Sequence, residues 1–456
     1  MKLPLPTAFI DQMRLLLGAD GLDEFTTALQ LDPPVSIRLN QGKPVDFEQE
    51  LSDRVPWHPY GFYLPERPVF TLDPLFHAGA YYVQEASSMF LYEALKQTVD
   101  FSKPLKALDL CAAPGGKSTL IADLLAPQGG LLVANETIRS RTGALRENLE
   151  KWGYPNIAIT SAESEAFEAL EGFFDIVVVD APCSGEGLFR KDEEAVGEWS
   201  PSHVELCSAR QKRILSAAVS CLAPGGILVF STCTYNSSEN SENVQWLEQN
   251  FSLEPQTLEL PAEWGIESIK GGYQFFPHRL RGEGFFLSVL RKSGGQSNRN
   301  NASGNFKSIT SLSKSQLPFL QGKLTGNFEA GYYQTSSGEI LMLPQQWLSV
   351  YLTLDKVLKI KWFGTLIGEL KGRDFIPSHS LALSRVASLD LPAVDVDKHT
   401  ALRFLKKDIF ELPAGIPNGW LLVRYNGLNL GWIKAMPNRM NNYLPQERRI
   451  RMDLQF

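Results

Sequence analysis

Two cysteines stand just beyond two apolar runs that have the composition of buried strands. Cys183 follows the run at residues 176–179, and Cys233 follows the run at residues 227–230. A thiolate is a good nucleophile and a good leaving group, so it suits a covalent bond that forms and breaks within one reaction cycle. Ends of neighbouring parallel strands meet at one sheet edge, where ligands bind in open α/β folds. We therefore expect both thiols at that edge, in a nucleophilic site.

The other three cysteines are interpreted as small core residues, which is the commonest role of a free cysteine. They are Cys111, Cys207 and Cys221. The total of five is odd, and the sequence contains no C-x-x-C pair. Neither a disulfide framework nor a zinc site is predicted, and no metal is assigned.

A run of small residues at 111–118 lies between a predicted strand and a predicted helix. Small residues let the backbone approach a ligand closely, and a tight turn without a ligand is the weaker interpretation. A phosphate-binding P-loop needs a glycine where Cys111 stands, and G-x-G-x-x-G is absent, so a nucleoside triphosphate is a poor candidate. Glu136 follows the next strand, where a carboxylate can accept hydrogen bonds from ribose hydroxyls. Alone, Glu136 would more often be a solvated surface acid.

These residues must be positioned by a repeated pattern of strand, glycine turn and helix between Lys106 and about residue 230. That alternation predicts an α/β domain with a parallel sheet covered by helices on both faces. Residues 1–100 mix short helical patterns with proline-rich extended stretches. After a glycine-rich polar segment that begins at Ser293, short strands predominate, and Asn426-Gly427 predicts a type I′ hairpin.

Charge is distributed unevenly along the 456 residues, whose net charge is −7. Residues 301–456 carry 19 basic and 12 acidic side chains, an excess of seven positive charges, against 25 and 39 in residues 1–300. The basic end could hold nucleic acid, although a chance imbalance would look the same in sequence. No apolar run approaches the roughly 18 residues of a membrane span, and no secretory signal is evident, so a cytoplasmic protein is expected.

Six ordered segments resemble one family. They are residues 36–40, 79–89, 111–117, 180–185, 231–234 and 282–286. Together they resemble the NOL/NOP/Sun family of RNA cytosine-5 methyltransferases, particularly the bacterial RsmF-type 16S rRNA enzymes. The resemblance is strong over about residues 35–290 and weaker beyond, where residues 375–379 and 430–432 resemble the PUA-like extension of those enzymes.

The resemblance implies five segments: an α+β N-terminal RNA-positioning domain (1–100), a Rossmann-like methyltransferase domain (101–292), a linker (293–308), an intermediate domain (309–371) and a β-rich PUA-like RNA-binding domain (372–456). It implies S-adenosyl-L-methionine as cofactor, and 16S rRNA or the small ribosomal subunit as partner. DNA is not expected as a substrate, and a monomer is expected.

The same resemblance assigns roles to residues. It makes Cys233 the nucleophile that adds to carbon 6 of cytosine and Cys183 the thiol that assists release of the product. It places Asp180 and Lys117 against the cytosine as well as the cofactor. The residues implied to contact the cofactor are Cys111, Ala112, Ala113, Pro114, Gly115, Gly116, Lys117, Glu136, Arg141, Glu163 and Asp180. Glu163 departs from the family pattern, in which an aspartate usually stands at this position.

Three alternatives remain at this point. Pro182-Cys183 and Glu242-Asn243-Val244 also resemble motifs of DNA cytosine-5 methyltransferases, in which the first cysteine is the nucleophile, but that arrangement leaves Cys233 unexplained. An amino-methyltransferase would ordinarily carry Asp/Asn-Pro-Pro-Tyr where this chain has Asp180-Ala181-Pro182-Cys183. A non-catalytic RNA-binding protein would have no need for both cysteines.

Overall fold

The computed structural model describes residues 4–47, 51–295, 302–325, 329–358, 360–372, 374–413, 415–437 and 439–454. The N-terminal region has a helical stretch that is kinked at Gly18, whose φ of 74° and ψ of −177° are not helical, and a small antiparallel sheet whose strand order is β2-β1-β3. Its elements are α1 (Thr7–Gln30), β1 (Val35–Leu39), β2 (Gly61–Leu64), α2 (Pro74–Ala78), β3 (Tyr81–Val83) and α3 (Leu91–Thr98).

The central domain confirms the predicted α/β architecture. Its elements are β4 (Lys106–Asp109), α4 (Gly116–Leu125), β5 (Leu131–Asn135), α5 (Arg139–Trp152), β6 (Ile157–Thr160), β7 (Phe174–Asp180), α6 (Glu193–Glu198), α7 (Pro201–Cys221), β8 (Leu222–Thr232), α8 (Ser241–Asn250), β9 (Leu253–Pro255), β10 (Glu267–Ile269), β11 (Gly272–Phe275) and β12 (Phe285–Lys292). Strands β8, β7, β4, β5 and β6 are parallel neighbours in that order. Antiparallel β12, β11 and β10 extend the sheet beyond β8.

Both faces of this sheet are buried, which explains why its strands are apolar at successive positions. Along β7, Ile176 and Val178 pack on one face with residues of α3, α4 and α5. Val177 and Val179 pack on the other face with residues of α7. The sheet therefore has a hydrophobic core on each side, and its polar chemistry is confined to the strand ends.

The C-terminal region is β-rich, as the sequence predicts. Its elements are β13 (Ile309–Ser311), β14 (Ala330–Thr335), β15 (Glu339–Pro344), α9 (Leu348–Val357), β16 (Ile360–Phe363), β17 (Thr365–Lys371), β18 (Asp374–Pro377), α10 (His379–Leu383), β19 (Ala393–Asp395), α11 (Lys398–Lys406), β20 (Gly419–Tyr425), β21 (Leu428–Met436) and β22 (Arg439–Asn442). The predicted hairpin joins β20 to β21, and Asn426 and Gly427 both have positive φ angles, 46° and 75°. Positive φ at both central positions is what a type I′ turn requires.

The predicted segments do not behave as separate bodies. Strand β16 pairs antiparallel with β6 and so forms an edge of the central sheet, while α9 packs into the central core through Tyr351 and Leu354. The predicted boundary between residues 371 and 372 falls inside the β17–β18 hairpin. Residues 296–301 of the predicted linker lie outside the described residues.

The sheet of β19 to β22 packs against the N-terminal region. Leu421 and Ile433 share a hydrophobic cluster with Ile37 and Phe62. Truncation after Lys292 would therefore uncover apolar surface of both the N-terminal sheet and the central core, so surface substitutions are the cleaner probe of this region. Within the described ranges, no helix is both long and apolar enough to cross a membrane.

Candidate active site

The two thiols at the ends of β7 and β8 are brought together by the pairing of those strands. Asp180 lies opposite Ser231 in the parallel ladder, so the residues that follow each strand emerge side by side. The Sγ atoms of Cys183 and Cys233 are 3.3 Å apart, and both side chains are partly accessible. This confirms the expectation that the two thiols share one sheet edge. Cys207 and Cys221 are buried free thiols, as expected of core cysteines, whereas Cys111 is only half-buried.

The surroundings of Cys183 stabilise its protonated form. The hydrogen bond with Cys233, burial and the nearby Glu239 carboxylate all raise the pKa of Cys183. The two sulfurs lie within hydrogen-bond distance, and either thiol can act as the donor.

Three carboxylates surround the half-buried Cys111 at the ends of adjacent strands. Asp109 ends β4, Glu136 follows β5 and Asp180 ends β7. Burial and then these three carboxylates raise the pKa of the Cys111 thiol, which shows that they act on one small region. Such an edge repels phosphates and attracts cations, so it fits a ligand that carries a sulfonium and an ammonium group.

Lys117 is the main cation at this edge. Its Nζ lies 2.8 Å from Oδ2 of Asp180, whose Oδ1 accepts a hydrogen bond of 2.8 Å from the hydroxyl of Ser231. Burial is the largest single influence and lowers the pKa of Lys117, but the charge and hydrogen bond of Asp180, together with the charge of Asp109, raise the pKa overall, so the ammonium form is stabilised. Asp180 stays partly accessible. The pair presents a charged donor and a charged acceptor close to the cysteines, since Asp180 is three residues before Cys183.

The loop of small residues is held by its neighbours rather than by its own side chains. Arg141 Nη2 donates to the Ala113 carbonyl at 2.7 Å, and Asn148 Nδ2 donates to the Pro114 carbonyl at 2.9 Å. Gly115 has a φ of 115°, which strongly favours glycine at the start of α4. Ala112 and Ala113 are buried, whereas Pro114 is exposed. The loop backbone is thus fixed with its small side chains leaving room beside it.

The two acidic residues predicted to contact the cofactor differ in their surroundings. Glu136 is buried, its Oε1 accepts from the Ile138 backbone N–H at 2.8 Å, and Arg141 lies 3.6 Å from its Oε2. Glu163 is exposed, and among the described residues its carboxylate has no recorded hydrogen bond or ion pair. The sequence-based role of Glu163 in binding adenine therefore stays a prediction.

Three polar residues that build the site were given no role by the sequence. Asp109, whose pKa burial raises to about 7, accepts at Oδ2 from the Ser118 hydroxyl at 2.6 Å, and its Oδ1 is buried without a partner among the described residues. Arg38 is wholly buried and donates to the Gly116 carbonyl. Glu239 lies behind Cys183 and accepts from the Ser184 backbone N–H. Only Arg38 had a signal in the sequence, because it belongs to a segment that resembles the family.

The motif that resembles DNA cytosine-5 methyltransferases is arranged differently here. Glu242 is exposed on the first turn of α8 and accepts from the Ser237 hydroxyl at 3.2 Å. Asn243 is buried and bonds to Gln211. The acidic residue that faces the thiols is Glu239 instead.

We expect Glu136→Ala to weaken binding of S-adenosyl-L-methionine by about 10-fold or more, because a charged acceptor for hydroxyl groups contributes roughly 1.5–3 kcal/mol. Calorimetric titration of the purified protein measures the change. Glu168→Ala is the matched control, since Glu168 is an exposed glutamate outside this edge. Equal affinities for the wild type and Glu136→Ala would contradict the assignment of Glu136.

Family models match three parts of the chain. The model described as 16S rRNA methyltransferase RsmB/F matches residues 98–291. The model for the N-terminal domain of 16S rRNA methyltransferase RsmF matches residues 5–86, and the model for the methyltransferase RsmF PUA domain matches residues 391–450. These matches agree with the Rossmann-like domain and its two flanking regions.

Curated relatives and solved structures give the same picture. Ribosomal RNA small subunit methyltransferase F of Cronobacter sakazakii is 39% identical over 309 residues, a match that spans 63% of each chain and thus less than two thirds of that relative. The protein of that name from Aeromonas salmonicida is 31% identical over 468 aligned positions and 97% of each chain. A methyltransferase homolog from Pyrococcus horikoshii is 28% identical with a TM-score of 0.53, covering 63% of this chain and 95% of the other. NSun6 from the same organism, solved with SFG, has the same TM-score at 19% identity, covers 64% of this chain and 99% of the other, and shows a likeness of fold. This chain belongs to the family of the ribosomal RNA small subunit methyltransferase F.

Proposed function

We propose that this protein uses S-adenosyl-L-methionine to form 5-methylcytosine in 16S rRNA, the small-subunit ribosomal RNA, through a covalent adduct between Cys233 and carbon 6. The observation that carries the proposal is the 3.3 Å contact between the two thiols, beside an edge of three carboxylates. The substrate class is that of the relatives named ribosomal RNA small subunit methyltransferase F.

Each residue at this sheet edge has a separate role in the proposed reaction. Carbon 5 of cytosine is a poor nucleophile until a group adds to carbon 6, and Cys233 is the thiol placed to add. Asp180 can accept from the exocyclic amine of the base, and Lys117 can donate to its ring acceptors. When bound, the cofactor supplies a methyl group on a sulfonium. Glu136 would hold its ribose hydroxyls, and the loop at residues 111–117 would pack against it, with Arg141 supporting the loop.

The target base must leave its stack to reach this edge, because carbon 6 is inaccessible within stacked RNA. The N-terminal region and the β19–β22 sheet are the proposed RNA-positioning surfaces, and a monomer acting in the cytoplasm on RNA rather than DNA is the expected form. The amino-methyltransferase alternative would leave the paired thiols without a role. A non-catalytic protein would likewise leave them without one.

The direct test is methyl transfer from labelled S-adenosyl-L-methionine to 16S rRNA or to small subunits, followed by bisulfite mapping of the product. A bisulfite-resistant cytosine that appears with the wild type and is missing in rRNA from a deletion strain is the expected result. Transfer of label to a nitrogen, or no transfer to either substrate, would contradict the proposal.

One face of the β19–β22 sheet carries a candidate RNA contact. The strand registers place Trp420 opposite Lys434 and Met436 opposite Arg439, so Trp420, Lys434 and Arg439 share a face. The Lys434 ammonium lies 5.4 Å from the centroid of the Trp420 ring. A cation beside an accessible aromatic ring suits phosphate contact with base stacking.

We expect the double variant Lys434→Ala/Arg439→Ala to weaken rRNA binding and to reduce the slope of log affinity against log salt by about two, one for each lost phosphate contact. Titrations of labelled rRNA at several salt concentrations measure both. Cofactor affinity should not change, because the face lies in another domain. Lys371→Ala is the control, since Lys371 is exposed at the end of β17. An unchanged salt slope would assign RNA binding to another surface.

A further inference from the structure

The buried carboxylate of Glu239 is hydrogen-bonded to the segment around Cys183. Oε2 of Glu239 accepts from the Ser184 backbone N–H at 3.0 Å and from Gln211 Nε2 at 2.9 Å. The same Gln211 amide donates to the Pro182 carbonyl at 3.0 Å. The peptide groups on both sides of Cys183 are therefore hydrogen-bonded to one network, to which Glu239 contributes a charge.

The other carboxylate oxygen of Glu239 is the unusual feature. Oε1 is buried and has no hydrogen-bond partner among the residues that the structure describes. Burial of an unsatisfied carboxylate oxygen is costly, so such an oxygen usually has a further function. The carboxylate acts on Cys183, because its charge contributes to the raised pKa of that thiol. Burial raises the pKa of Glu239 itself to about 7, so this group can change its protonation near neutrality.

Neighbouring acids do not offer the same open position. Glu186 also influences Glu239, but its oxygens already accept from Gln12, from the indole of Trp199 and from the Tyr235 backbone N–H. Cys207 on α7 is the other titratable group on which the Glu239 charge acts. Glu239 is thus the carboxylate beside Cys183 that keeps an unoccupied acceptor.

The order of events at the thiols creates a need for such an acceptor. In the free protein the raised pKa of Cys183 keeps the proton on its sulfur, which lies 3.3 Å from the sulfur of Cys233. Once Cys233 has bonded to carbon 6 its sulfur is a thioether, which is a weak acceptor. Cys183 must then become a thiolate to act in product release, and its proton needs a destination.

We propose that Glu239 is a positioning residue that acts through Cys183, taking the thiol proton after Cys233 has added to the base. This rests on the proposed function. The S–H bond of Cys183 breaks, an O–H bond forms at Oε1 of Glu239, and the electron pair stays on sulfur. The Cys183 thiolate then accepts the carbon 5 proton while Cys233 leaves carbon 6 with its bonding pair. Glu239 returns its proton to water, and that proton is the one released in the overall methyl transfer.

The test variant is Glu239→Gln, whose amide oxygen can still accept from Ser184 and Gln211 but whose side chain cannot take a proton. With wild-type protein, labelled S-adenosyl-L-methionine and 16S rRNA, the adduct forms and breaks down. In the variant we expect the adduct to form and its breakdown to slow by about 10²-fold, the scale of a lost general base. Glu242→Gln is the control, because this exposed glutamate lies only three residues away.

Two further measurements separate this role from a structural one. Adding Glu239→Gln to Cys183→Ala should slow breakdown no further, since Glu239 acts through Cys183. In the wild type, breakdown of preformed adduct should slow as pH falls below about 7, because the carboxylate must be ionised to accept the proton. This slowing below pH 7 should be absent in Glu239→Gln. The wild-type profile needs no variant and so stands even if Glu239→Gln folds poorly.

The outcomes are distinct. The role of Glu239 is overturned if folded Glu239→Gln breaks down the adduct at the wild-type rate. It is also overturned if breakdown in this variant still slows below about pH 7. Either result leaves the methyltransferase proposal intact. A wild-type protein that forms neither adduct nor 5-methylcytosine overturns the proposed function itself.

Discussion

Cys183→Ala is expected to accumulate a protein–RNA species that survives denaturing electrophoresis, whereas Cys233→Ala is expected to form none. In the proposed mechanism Cys233 makes the bond to carbon 6, so its loss should reduce methylation on the order of 10⁴-fold or more, as losing an obligate nucleophile does. The same mechanism has Cys183 act after that bond has formed, so its loss should leave attack and methyl transfer in place and block release. Labelled rRNA in the protein band measures the adduct.

The control for both variants is Cys221→Ala. Cys221 is a fully buried thiol at the end of α7, immediately before β8 and so at the opposite end of that strand from Cys233. Its removal should cost about 1 kcal/mol of stability through a small cavity and leave methylation near the wild-type rate. An adduct with Cys233→Ala and none with Cys183→Ala would reverse the two roles. If both Cys183→Ala and Cys233→Ala lost stability and neither formed an adduct, the two cysteines would have a structural role only.

Arg38→Met is expected to destabilise the protein by about 3–5 kcal/mol, the usual cost of removing one partner of a buried ion pair. Arg38 is wholly buried, its Nη1 lies 2.6 Å from Oδ2 of Asp123, and its guanidinium stacks 4.5 Å from the Trp152 ring centroid. Burial raises the pKa of Asp123 to about 6 against the opposing effect of Arg38. Without Arg38 that buried carboxylate would lose its paired cation and keep only the more distant charge of Arg385.

The same arginine reaches the cofactor loop, so a second effect is expected. It donates to the Gly116 carbonyl at 3.2 Å and to the hydroxyl of Thr119, both on the first turns of α4. Cofactor affinity should therefore fall together with stability. Denaturant unfolding and calorimetric titration measure the two quantities.

Arg54→Met serves as the control for Arg38→Met, because Arg54 is exposed and donates to the Pro59 carbonyl at the surface. Its replacement should change stability by no more than about 0.5 kcal/mol. Arg38→Met/Asp123→Leu should recover part of the loss, since it removes both charges at once. If Arg38→Met were no less stable than Arg54→Met, the buried pair would not be what fixes α4.

The sequence by itself determined the elements that carry the chemistry. Apolar runs identified β5, β7 and β8, and the small residues at 111–117 identified the loop that we propose holds the cofactor. The positions of Cys183 and Cys233 after their strands were enough to expect them at one edge, because parallel strands end on the same side of a sheet. Asn426-Gly427 identified its hairpin, since few residues tolerate positive φ at both positions. These are local patterns, so they are readable without knowing what packs against them.

Tertiary structure alone decided which distant segments became neighbours. The sequence placed residues 309–371 in a separate domain, yet β16 pairs with β6 and α9 packs into the central core. Glu242 belongs to a triplet that resembles a motif of DNA cytosine-5 methyltransferases, yet the acid that accepts a hydrogen bond next to Cys183, from the Ser184 backbone N–H, is Glu239. Period-2 alternation specifies which face of a strand is apolar but not which strand lies beside it. Likewise, a polar segment after a strand does not reveal which of its carboxylates turns inward, because that depends on donors such as Gln211 contributed from another helix.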